Sequence, residues 1–344
     1  MPDIFTVNAI LSSLLLLNPK KVSKVKLIAG ALIFVLSVNV HFSNFPIVVF
    51  LMLGILIFWR VTSIFKGVKY ITALLLFSLT LASGTNFIID KTFKINKGSH
   101  VFLVGKMLDS GVLKSFLDKN CVQEEYAFCE CKDSLPVDSR ALLWAPNGPL
   151  AKHGGWTGSE KAYNKLLVGI FTSPKHLALF CYNSFFSSAS QLFQNDVGSG
   201  LVSAWYRDPS SPPYHEISKH FKFELNTYSQ SRQNGNLWNQ ELDLTFVNAA
   251  YSVLLSLSFV FLLAIFALKK FKKIVNRETQ FLVVGLFIGI VSNAIVTASL
   301  ANVYDRLQAR TSWMIILCAV LIALSSKAHF IHKTKLFFTK SKMN

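Results

Sequence analysis

The chain has 344 residues, of which 52% are hydrophobic and only 15% charged, and its formal net charge is +17. Apolar residues gathered into long uncharged runs exclude an ordinary soluble domain, in which they alternate with polar ones to match one buried face. The surplus charge points away from a nucleic-acid role as well, because it sits in short segments between the apolar runs, where it reads as a topology signal.

In chain order the apolar runs are Ile4–Leu17, Leu27–Val40, Phe45–Trp59, Tyr70–Ile89, Phe246–Leu268, Phe281–Leu300 and Thr311–Ser325. A bilayer core about 30 Å thick takes roughly 20 apolar residues in helical form, fewer where flanking side chains snorkel. Six runs come near that length with their flanking residues, and the seventh, Ile4–Leu17, starts almost at the first residue. A backbone in hydrocarbon must satisfy its own hydrogen bonds, so each run is expected to be a helix. The expected fold class is all-α: a polytopic membrane bundle of about seven spans with a mostly helical extracytoplasmic domain. Four parts follow: 1–89 with four membrane segments, 90–245 as the extracytoplasmic domain, 246–325 with three membrane helices, and 326–344 as a basic tail.

The placement of charge orients this plan. Four segments hold the surplus: Lys20, Lys21, Lys24 and Lys26; Arg60, Lys66 and Lys69; Lys269, Lys270, Lys272, Lys273 and Arg277; and the tail with Lys327, Lys333, Lys335, Lys340 and Lys342. Glu278 is the one acid among them, whereas 90–245 is nearly neutral, with sixteen basic and fifteen acidic residues. Short basic loops stay in the cytoplasm, which places 90–245 outside and the C-terminus inside. Trp59 is expected at an inner boundary, Trp238 and Trp313 at outer ones. The first run begins at Asp3 with no basic segment before it. That is an unusual opening for a membrane chain, so the expectation is that further helices precede it, with a re-entrant first segment as the alternative.

Within 90–245 the helical spacing of Val101, Val104, Met107, Leu108, Val112 and Phe116 predicts a helix interrupted at Gly111. Thr157 and Glu160 have capping-box spacing, opening a helix that stops before Pro174. Pro174 then starts another helix, through Phe193, whose lack of charge after His176 suits the outer interface or a place against the bundle. Residues 201–240 read as loop. Cys121, Cys129 and Cys131 face an oxidising compartment on this plan, so Cys121 is expected to bridge Cys129 or Cys131. No metal site is expected there, because His100 and His153 are distant in sequence.

Soluble nucleotide chemistry is excluded: there is no phosphate-cradling loop, no H-E-x-x-H and no G-x-S-x-G. No cofactor is indicated. The strongest polar cluster is Tyr304-Asp305-Arg306 with Arg310, before the last apolar run. Arg306 and Arg310 are one turn apart, and guanidinium geometry suits phosphate, so they are candidate phosphate ligands with Tyr304 and Asp305 orienting or pairing with them. The alternative is an Asp305–arginine ion pair that fixes the hairpin. Asp3, Asp90, Glu241 and Asp243 are the boundary carboxylates open to a role as general base. Trp144 and Trp156 could stack on a sugar or simply pack a loop. Gly285 and Gly289, with Ser292 and Asn293, look like a close helix-packing seam without chemistry.

Met1-Pro-Asp-Ile-Phe-Thr, Gly98-Ser-His-Val-Phe-Leu, Leu143-Trp-x-Pro-Asn-Gly-Pro, Gly154-Gly-Trp156 and Asn302-Val-Tyr-Asp-Arg-x-Gln-Ala-Arg310 resemble an uncharacterised family of bacterial inner-membrane proteins. Longer members are similar to GT-C glycosyltransferases, which use polyprenyl-phosphate-linked sugars at the outer face. The resemblance implies a bacterial inner-membrane location and an N-terminally truncated chain, since the M-P-D segment follows earlier helices in longer members. It also implies that the family's usual catalytic carboxylate would precede Met1. The function expected is handling of a lipid-linked sugar: an acceptor hydroxyl attacks the anomeric carbon while Arg306 and Arg310 hold the leaving phosphate. The other expectation is a non-catalytic membrane subunit or assembly factor whose outer domain binds a partner.

Overall fold

The computed structural model describes residues 3–18, 22–59, 62–145, 147–198, 208–209, 211–231, 234, 243–267, 271 and 275–326. Among them every regular element is helical. The N-terminal helices are α1 (Ile4–Leu17), α2 (Lys24–Val40), α3 (Asn44–Phe58) and α4 (Thr62–Asp90). A middle group follows with α5 (Ser99–Asp109), α6 (Val112–Asn120), α7 (Ser139–Trp144), α8 (Glu160–Thr172) and α9 (Pro174–Gln191), and then α10 (Pro212–His220) and α11 (Leu225–Ser229). The chain returns to apolar helices in α12 (Thr245–Ala267), α13 (Arg277–Leu300) and α14 (Asp305–Ser326).

Each of the seven apolar runs is a helix, and four are long and apolar enough to cross a membrane: α4 from Ile64, α12, α13 and α14. Helices α1, α2 and α3 have 14, 17 and 15 residues. At 1.5 Å per residue they cover about 21–26 Å, short of a full hydrocarbon core. Local sequence ends them: Asn18 follows α1, a turn at His41–Ser43 separates α2 from α3, and Trp59 follows α3.

Helix α1 is the centre of the bundle, packed against α2, α3, α4, α13 and α14. Small residues allow this. A Cβ on Gly285 would stand 2.3 Å from Leu14, and one on Gly289 would stand 2.7 Å from Ile10. The seam read on α13 therefore receives α1. On α4, a Cβ on Gly67 would lie 2.5 Å from the Leu17 backbone. The outward surface is apolar too. Ile28 and Leu32 on α2, Leu76 and Phe77 on α4, and Leu257 and Val260 on α12 are all exposed. Exposed apolar side chains in such number are costly in water and are at home in hydrocarbon.

The described residues that flank the basic segments gather at one end of the bundle. Gly67 abuts Leu17, the Trp59 ring meets Phe281 at 5.6 Å with the Arg277 guanidinium 6.0 Å away, and the Asn276 amide donates to Ser325 Oγ at 3.3 Å. The tail beyond Ser326 lies outside the described residues, as does Trp238.

A second hydrophobic core, from Val101 to Ile170, is formed by α5, α6, α7 and α8 around Met107, Phe116 and Tyr163. Gly111, at φ +70°, turns the chain between α5 and α6 where an L side chain would be strained. A disulfide joins Cys121 to Cys129, leaving Cys131 free. This core meets the bundle at the end opposite the basic segments. There Asn302 Nδ2 donates to Ser139 Oγ at 2.5 Å, and Gln191 and Tyr304 exchange two hydrogen bonds, at 2.8 and 3.0 Å. Helix α9 packs along α13.

Two local expectations need correction. The capping box at Thr157 and Glu160 does not form. Thr157 lies inside a helical turn at Gly155–Gly158, and the Glu160 carboxylate is taken by Lys94. Residues 201–240 are not all loop. Ser211 Oγ accepts the Tyr214 amide at 3.4 Å and Pro212 occupies the first turn, so α10 has its own helix-start signature.

Candidate functional site

The site is built from the two ends that α1 and α14 bring together. Tyr304 is extended, and its backbone is clamped by Gln191: the Tyr304 amide donates to Gln191 Oε1, and its carbonyl accepts from Gln191 Nε2. That fixes where α14 begins. Asp305, its first residue, accepts the Asp196 amide at 3.4 Å and makes no ion pair with either arginine among the described residues.

Arg306 and Arg310 are one turn apart, yet they are not presented together. Arg306 is exposed and has no ion pair among the described residues. The Arg310 side chain is 3% exposed; its Nη1 lies 3.2 Å from Asp3 Oδ1. Arg310 Nε and Nη2 both donate to Asn293 Oδ1, at 3.3 and 2.9 Å. Asn293 Nδ2 in turn donates to the Leu307 carbonyl at 2.8 Å, Gln308 Oε1 at 2.9 Å and Thr311 Oγ1 at 3.2 Å. A buried guanidinium is tolerated only when its charge and its donors are met, and Asp3 with Asn293 does this.

The polar layer continues into the N-terminal helices. Thr6 Oγ1 donates to Asn44 Oδ1 at 2.8 Å, and Asn44 Nδ2 donates to the Ser37 carbonyl at 2.8 Å. Beside it, in the turn between α2 and α3, His41 Nδ1 is 2.7 Å from Ser43 Oγ. Burial pushes the His41 imidazole below its ordinary pKa; Arg310 and Arg306 add to this, while Asp3 opposes them. The charged form of His41 is therefore disfavoured beside Arg306 and the Asp3–Arg310 pair. Sequence reasoning missed it. Its only signal was a lone histidine in the tight turn between two apolar runs.

The remaining carboxylates are dispersed. Asp90 pairs with Lys97, and Asp243 Oδ1 accepts the Thr245 amide at 2.9 Å; Glu241 lies outside the described residues. Trp144 and Trp156 stand together, with ring centroids 5.8 Å apart. Chemically, the bundle end offers one solvent-facing guanidinium and one imidazole, held over a buried ion pair. No family model, curated protein or solved structure matches the chain.

Proposed function

We propose that this chain is a multi-pass membrane protein that recognises a polyprenyl-phosphate-linked sugar at the outer end of its bundle. In this reading all seven apolar helices lie in the bilayer, the basic segments face the cytoplasm, and 90–245 is extracytoplasmic. The observation that carries it is the exposed Arg306 one turn from the buried Asp3–Arg310 pair, at the mouth of an apolar bundle. A lipid-linked phosphate arrives at that depth with its chain in hydrocarbon, and a guanidinium there binds it through charge-assisted hydrogen bonds. Arg310 and Asp3 hold the site and His41 borders it. We assign recognition and no chemical step, because Asp3, Asp90 and Asp243 each serve another partner.

The test is binding of polyprenyl phosphate to the purified protein in nanodiscs. Arg306→Ala is expected to weaken it about tenfold or more with an unchanged melting temperature. Equal binding by wild type and variant would sink the reading.

A second reading is favoured by α12. Only Leu262 on this 23-residue helix is buried, so most of its surface is free for a helix of another membrane protein. A non-catalytic subunit would use it so. Photo-crosslinking from Leu257 in native membranes decides: adducts with one protein support this reading, and adducts with lipid alone end it.

A further inference from the structure

We propose that Trp144 and Trp156 form a carbohydrate platform that receives the sugar, or the glycan it joins, beside the phosphate site. This rests on the lipid-linked-sugar reading above and assigns it a second, separate contact.

The platform is built from α7 outward. Asp138 caps this helix by accepting the Ala141 amide at 2.8 Å, and the Ser139 amide donates to Asp109 Oδ1 at 2.7 Å. Ser139 Oγ accepts from Asn302, three residues before Asp305, so α7 is seated on the turn that leads into α14. Arg140 and Trp144 are one turn apart and share an exposed face of α7. Bonds from Nε and Nη2 to Asp138 Oδ2, at 3.0 and 2.8 Å, fix the Arg140 guanidinium.

Trp144 is 48% exposed and does not belong to the domain core, whereas Trp156 packs against that core and is half-buried. Trp156 is held from behind. Its ring lies 5.4 Å from Phe102, and a Cβ on Gly98 would stand 3.3 Å from it, so glycine there lets the backbone approach the indole. The two indoles are tilted by 50°. Polar residues follow them closely in the chain: Arg140 one turn before Trp144, the exposed Asn147 three residues after it, and Glu160, paired with Lys94, one turn beyond Trp156.

An exposed pair of indoles with charged and amide residues close by in the chain suits a sugar in particular. A pyranose offers C–H bonds on one face and hydroxyls around its edge. The indoles take the C–H face, and the carboxylate, amide and guanidinium groups take the hydroxyls. A lipid surface fits poorly, because Arg140, one turn from Trp144, and Glu160, one turn beyond Trp156, would lose water with the indoles.

The experiment is a glycan array probed with the full-length protein in detergent, beside the polyprenyl phosphate assay. Wild type is expected to retain a defined set of glycans. Trp144→Leu, which keeps apolar area but removes the ring, is expected to weaken them about tenfold, and Trp144→Phe to keep most binding. Trp144→Leu should leave polyprenyl phosphate binding intact, and Arg306→Ala should do the reverse, so failure of one site is distinguishable from failure of the other. The proposal is overturned if wild type retains no glycan above an unrelated membrane protein. It is equally overturned if Trp144→Leu retains the same set at equal strength, or if Trp144→Phe loses as much as Leu.

Discussion

Arg310 Nη1 lies 3.2 Å from Asp3 Oδ1, a contact that spans 307 positions and ties the start of α1 to α14. The guanidinium is almost wholly buried, while the carboxylate is 31% exposed. This pair, with Asn293 beneath it, decides how the candidate site is built: it fixes the end of the bundle and leaves Arg306 as the charge that faces outward.

Truncating the buried partner strands the other charge. Arg310→Ala is expected to lower stability by about 3 kcal/mol, and Asp3→Asn by less, because water already reaches Asp3. The double variant Asp3→Asn/Arg310→Met should recover part of the loss, as coupled neighbours do. Thermal unfolding in detergent micelles measures all three. Wild-type melting in Arg310→Ala would show that the pair carries no structural weight.

Gly67 and Gly84 occupy the same helix but different surroundings. A Cβ at Gly67 meets Leu17 backbone atoms at 2.5 Å, which cannot rotate away, whereas nothing lies within 4 Å of one at Gly84. Gly67→Ala is expected to destabilise by about 1–3 kcal/mol through overpacking. Gly84→Ala should be neutral or stabilising by up to about 1 kcal/mol. If the two variants melt alike, α4 does not pack on α1 as described.

The Cys121–Cys129 bridge closes a short loop beside the second core. Chain-entropy arguments give such a loop about 2–3 kcal/mol. Reductant, or Cys121→Ser/Cys129→Ser, should therefore lower the melting of this domain. Cys131→Ser should leave it unchanged, and thiol counting on the unfolded, unreduced protein should find three free cysteines.

Burial holds His100, His153 and His176 below the ordinary histidine value of 6.5. Neutral partners are close: Ser159 Oγ at 3.4 Å from His100, Tyr163 Oη at 3.2 Å from His153, and Ser173 Oγ at 2.7 Å from His176. With folded pKa values below the unfolded one, the unfolded chain binds more protons as the medium acidifies. The stability they confer is complete above about pH 6.5 and is lost as pH falls toward the folded values. Melting curves from pH 7.5 to 5 should show this decline, and His176→Phe, beside Phe116, should flatten it.

Much of the architecture was legible from local chemistry. Apolar length located Ile4–Leu17 and the six later runs, and the helix breakers Gly111 and Pro174 fell where the structure turns. Gly285 and Gly289 marked the α13 surface that α1 occupies. The α10 start at Ser211-Pro212 carries a signal as clear as Ser173-Pro174, set amid polar residues that read as loop. The Thr157–Glu160 motif misled because Lys94, 66 positions away, competes for the same carboxylate.

Sequence by itself determined which stretches are helical and apolar, and which segments carry positive charge. These follow from transfer free energy and hydrogen-bond satisfaction, which depend on each stretch alone. It also nominated Arg306 and Arg310 without separating their roles. Only the tertiary structure decided that Arg310 is enclosed with Asp3 and Asn293 while Arg306 faces out, and that His41 borders them. The physical reason is that a buried charge takes whichever counter-charge packing brings to its depth. Which helix that is depends on close approach at Gly285 and Gly289, and not on nearness along the chain.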